Sequence, residues 1–88
     1  MYREIILPRD VRLFQKTKPH GKQLMRIEAH LKAGEVLTVS EPETVVYDHR
    51  DQKAVAFEYA HQTYYMLVSE IKIPELEDPE DAEILPEP

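Results

Sequence analysis

Segment after segment between Val11 and Leu67 carries an apolar residue at every second position, and this period decides what the chain can fold into. "DVRLFQ" sets Val11 and Leu13 against Arg12, and "EVLTVS" sets Leu37 and Val39 against Thr38 and Ser40. "KAVAFEYA" puts Val55, Phe57 and Tyr59 on one side and Ala54, Ala56 and Glu58 on the other. Successive side chains of a strand point to opposite faces, so each segment reads as a strand with one buried face. "TYYMLV" is apolar on both faces. A strand of that kind is covered on both sides, or else it offers one face to a partner. The polar run "DHRDQ" between "TVVYD" and "KAVAFEYA" reads as a turn.

One segment reads two ways. In "QLMRIEAHLKAG", Leu24, Ile27 and Leu31 make a helical stripe closed by Gly34, and the composition favours helix. The same residues alternate without a break for eight positions, Met25, Ile27, Ala29 and Leu31 against Arg26, Glu28, His30 and Lys32. Strand is the expectation, because the neighbouring segments are strands.

Eighty-eight residues make one domain with a thin core, since a chain this short buries only about 60% of the surface its unfolded form exposes. Without cysteine there is no disulfide, thiolate metal site or thiol nucleophile, as suits a reducing compartment, and a cytoplasmic location is expected. The opening "MYREIILPRD" is too short and too interrupted for a signal peptide or a membrane span, so no membrane is expected as a partner.

The net charge of −6 is unevenly spread. Residues 1–32 hold eight basic side chains against Glu4, Asp10 and Glu28. The last fourteen, "ELEDPEDAEILPEP", hold seven acids, three prolines and no base. Such a segment cannot bury enough apolar surface to order itself. The expected layout is one domain over residues 1–74, followed by an acidic tail over 75–88 that is disordered when free.

The layout of "VRLF", the polar excursion "KTKPHGK", "LKAGEVLTV", a two-strand hairpin and "TYYMLVSEIKI" resembles a small SH3-like β-barrel over residues 9–73. The resemblance implies a mainly β, antiparallel barrel of five to six strands. It makes Val68, Ser69 and Glu70 a 3₁₀ turn and Ile71 to Ile73 the closing strand. Val11, Leu13, Leu37, Val39, Val55, Phe57, Tyr65, Leu67 and Ile71, the apolar members of the alternating strands, are the expected core. Members that bind proline-rich peptides carry a tryptophan pair, and this chain has no tryptophan, so proline-rich ligands are not expected.

Catalysis finds little support. Ser40 and Ser69 lie in or beside strands without a nucleophile-elbow glycine, and Gly21 and Gly34 are too few for a phosphate loop. His20, His30, His49 and His61 are too far apart in sequence for a metal-binding pair, and Asp48, His49 and Asp51 read as a solvated turn. The expectation is a protein that is not an enzyme and holds no cofactor and no metal.

What remains points to binding. Tyr64 and Tyr65 are consecutive and must face opposite sides; with Tyr65 inside, Tyr64 and Met66 face outward, with Tyr47 and Tyr59 nearby. Tyrosine and methionine on a surface suit a protein interface. In the tail, the apolar pair Ile84 and Leu85 suits an anchor, with the carboxylates meeting a basic or mixed partner surface. The first expectation is therefore a protein-interaction module, an accessory or regulatory subunit, with homo-oligomerisation left open. The runner-up is a small phage or mobile-element inhibitor that mimics nucleic-acid charge. A third reading is a nucleic-acid-binding barrel using Lys16, Lys18, Lys22 and Arg26, which are also the candidates to receive the tail; the acidic net charge disfavours nucleic acid as the partner.

Overall fold

The computed structural model describes residues 2–76. Seven strands make a mainly antiparallel β structure: β1 (Tyr2–Ile6), β2 (Val11–Lys16), β3 (Leu24–Leu31), β4 (Val36–Ser40), β5 (Glu43–Tyr47), β6 (Arg50–Tyr59) and β7 (Gln62–Leu67). One helical turn, α1 (Val68–Ile71), and a 3₁₀ turn over Pro74–Leu76 follow. The sheet runs in the order β1-β4-β6-β7-β2-β3, with β5 also on β6. The expected tail lies outside the described residues from residue 77 onward.

The sheet does not close, which corrects the expected barrel: its path begins at β1 and ends at β3. Instead of a closing strand over Ile71 to Ile73, Ile71 ends a helical turn and Lys72 sits at φ 64 with its N–H on the Val68 carbonyl at 3.3 Å. A left-handed residue turns the chain aside, and Pro74, two residues on, has no N–H to give a ladder. β4 is instead flanked by β1, in register from Tyr2↔Ser40 to Ile6↔Val36, a strand that the sequence reading did not include. The near approach of β3 to β5 is one bridge, Gln23 to Val46, with the Val46 N–H on the Lys22 carbonyl at 2.8 Å.

The ambiguous segment is a strand. β3 pairs with β2 from Val11↔Leu31 to Lys16↔Leu24, with a register shift between Arg12 and Phe14. As an edge strand it hides only Leu24 and Leu31 fully and Ile27 in part, which explains why its apolar residues also fitted a helical stripe.

Burial divides into two clusters. The larger holds Val11, Leu13, Leu37, Val39, Val55, Phe57, Met66 and Ile71, joined by Ile5, Leu7, Leu31, Val68 and Leu76. The smaller holds Phe14, Leu24, Val45, Ala54 and Leu67, with Tyr47 and Tyr65 packed against it. Leu13 and Phe14 are consecutive, so β2 sends one side chain to each cluster. The expected core residues are all buried except Tyr65, which is half-buried. Leu76 is buried too, so the packed unit continues past the expected boundary at residue 74.

Two hairpins turn without glycine. Asp48 and His49 join β5 to β6, Ala60 and His61 join β6 to β7, and all four have φ between 53 and 66. Two consecutive positive φ values are the signature of a type I′ turn, which suits the strand twist but favours Asn-Gly. An alanine held in this region costs about 1–2 kcal/mol. Ala60→Asn combined with His61→Gly is therefore expected to raise stability by about 1–2 kcal/mol, read from the urea midpoint at unchanged slope. A lower midpoint would mean that His61 makes up for the strain elsewhere.

At the other end, Gly34 takes φ 97, a backbone that side chains other than glycine rarely adopt. Its N–H reaches the Leu7 carbonyl at 2.8 Å, and the Leu7 N–H reaches the Glu35 carbonyl at 2.9 Å. The Ala33 N–H donates to Asp10 Oδ1 at 2.9 Å. These bonds tie the β3–β4 loop to the β1–β2 loop and fix where β4 begins.

Candidate partner-binding site

Pairing decides where each tyrosine points. Cross-strand partners share a face, and Val55 pairs with Met66, Phe57 with Tyr64 and Ala56 with Tyr65. Tyr64 and Met66 therefore face the larger cluster with Val55 and Phe57, while Tyr65 faces the smaller one. The expected outward placement of Tyr64 and Met66 is thereby corrected, because each face of β7 meets a cluster of its own. Met66 is fully buried, and Tyr64 is half-buried with its ring 6.0 Å from Phe57. Tyr47 packs edge-on against Phe14 with centroids 4.8 Å apart. Of the four residues expected to form an outward face, only Tyr59 is exposed.

The basic candidates divide as well. Lys16 lies 5.3 Å from the Tyr65 ring centroid and 3.0 Å from Glu43, whose hydrogen bond, offsetting burial, raises its pKa above the ordinary lysine value. Lys18, Lys22 and Arg26 are exposed. Arg12, which the sequence reading did not single out, forms a forked ion pair with Glu70, its Nε 3.1 and 3.3 Å from the two carboxylate oxygens. Its guanidinium also lies 5.3 Å from the Phe14 centroid and 5.9 Å from that of Tyr47. The Glu70 hydrogen bond raises the Arg12 pKa further, so this pair is a structural clamp between β2 and α1. Ile84 and Leu85 lie outside the described residues.

The exposed apolar surface is somewhere else. Tyr2 is 72% exposed, Ile6 64%, Val36 54% and Tyr59 43%, with Met25 on β3, at 46%, apart from them. On β1 and β4 the pairs Tyr2↔Ser40, Glu4↔Thr38 and Ile6↔Val36 share the outward face, because Ile5, Leu37 and Val39 take the inward one. β4 meets β6 at the single pair Val39↔Phe57. One residue on, the Ala56 N–H is taken by the Ser40 hydroxyl at 2.9 Å. Beyond that pair the strands part, leaving an open cleft of about 630 Å³ with Val36, Leu37 and Thr38 on one bank and Phe57, Glu58 and Tyr59 on the other. Tyr2, Glu35 and Thr63 complete its margin.

The sequence held one sign of this site. Val36 sits in phase with Thr38 and Ser40, an apolar side chain on the polar face of "EVLTVS". Tyr2 and Ile6 flank Glu4 in the same manner, but only the β1–β4 register shows that they belong together. No known family, curated protein or solved structure matches the chain. Among the described residues, no three histidine, aspartate or glutamate side chains gather as a metal site, and no helix is long and apolar enough to cross a membrane.

Proposed function

We propose that the protein is a non-catalytic interaction module of the cytoplasm, an accessory or regulatory subunit built on an SH3-like frame left open between β1 and β3. What supports this reading is that Tyr2, Val36 and Tyr59, three of the five large exposed apolar residues among those described, line one cleft, with Ile6 beside Val36 on β1. Scattered apolar residues are ordinary on a protein surface, whereas a contiguous group beside a concavity marks an interface. The aromatic surface of the module is thus Tyr59 with Tyr2, and Tyr47, Tyr64 and Met66 serve packing.

The test uses the full chain as bait in extract from its source cells, with partners quantified by mass spectrometry. Tyr2→Thr combined with Val36→Thr keeps strand preference and removes two exposed anchors. The partner is expected to fall at least about tenfold, as loss of a central anchor does, while the melting temperature stays unchanged. An undiminished partner would move the interface away from the cleft, and Ile84→Ser with Leu85→Ser in the same experiment would show whether the tail carries it.

A further inference from the structure

We infer that the cleft binds an extended, basic segment of the partner protein as an added strand on β4, an inference that rests on the interaction-module reading. The backbone is the first ground. Because the Leu7 N–H bonds the Glu35 carbonyl and antiparallel bonds alternate along a strand, the Glu35 carbonyl and the peptide groups of Leu37 point toward β1. Those of Val36 point the other way, into the cleft, where no strand among the described residues lies against them. β4 is held to β6 at Val39, but at Val36 this side of the strand is open, and an open stretch of strand is what an extended peptide pairs with, while side-chain pockets beside it select the sequence.

The side chains name the partner's chemistry. Tyr2 and Val36 on the outward face and Tyr59, in phase with Phe57, on the other give apolar walls on both faces of an entering strand. Glu35 and Glu58 place carboxylates at the margin, Glu4 stands across from Thr38, and the described lining has no lysine or arginine. Lysine and arginine in the entering strand complement that charge. The same charge argues against the chain's own end, where residues 77–88 carry acids and no base. It also argues against a second copy, which would set the Glu35 and Glu58 carboxylates of one cleft against those of the other.

The experiment is a nuclear magnetic resonance titration of the full chain with a six-residue peptide of valine, tyrosine and lysine or arginine, with apolar and basic side chains on both of its faces. Amide shifts are expected at Val36, Thr38, Glu58 and Tyr59, with affinity that falls as salt rises. Glu35→Gln with Glu58→Gln is expected to weaken binding about fivefold, the scale of two exposed charge pairs. The same peptide, N-methylated so that it cannot pair with β4, should not bind. Equal binding of the N-methylated peptide, equal binding of a synthetic peptide of residues 77–88, or a concentration-dependent dimer that shifts the same amides would each overturn the inference. If the basic peptide fails while the Tyr2 and Val36 variant still loses the native partner, strand addition is wrong and the module reading stands. If the variant also keeps its partner, strand addition is wrong and the cleft is not the module's interface.

Discussion

Phe14→Ala is expected to leave the protein unfolded or nearly so at 25 °C, the loss being about 3–5 kcal/mol against a stability near the lower end for small domains. Phe14 is completely buried and is the largest member of the smaller cluster, between Leu24, Val45, Ala54 and Leu67. Its ring also meets Tyr47 edge-on and lies under the Arg12 guanidinium. Removing it opens a cavity between β2 and β5 and withdraws a neighbour from the Arg12–Glu70 pair. Phe14→Leu fills most of the space and should lose only about a third as much, which separates packing from the aromatic contacts. Circular dichroism melts of the two variants check this. A Phe14→Ala protein that melts within a few degrees of the parent would mean that the larger cluster carries the fold alone.

The second large effect lies at the end of the packed unit. A chain stopped after Pro74 is expected to lose about 2–3 kcal/mol relative to one stopped after Leu76, because Leu76 is buried in the larger cluster. Leu76→Ala in the full chain should reproduce most of the loss, whereas removing residues 77–88 should leave the urea midpoint in place. Equal midpoints for the two shortened chains would show that Leu76 contributes nothing to the core.

Much of the fold was legible because a period of two survives whatever the pairing. β2, β3, β4 and β6 follow it, and the polar turn at Asp48 and His49 lies where the sequence puts it. Facing was harder to read. "TYYMLV" is apolar on both sides, so nothing local says whether Tyr64 or Tyr65 meets Phe57; the β6–β7 register decides it. β1 was missed because "YREII" shows too little alternation alone, and its role depends on β4 having a free side. The closing strand was misplaced because the left-handed turn at Lys72 has no glycine to announce it. The cleft was least legible of all, since it comes from two strands parting after one pair, a property of spacing rather than composition.

The Arg12–Glu70 clamp joins positions 58 apart in the chain. β1 likewise waits for β4, and β2 cannot bury Phe14 on both sides until β7 is in place. Ordering so distant a pair means closing a long loop before any contact repays it, and sheets built this way fold in milliseconds to seconds rather than microseconds. A ribosome adds about 5–20 residues each second. The opening strands therefore exist for seconds as unpaired, partly apolar ribbon, and α1, synthesised well after β2, is the turn that locks that strand in place.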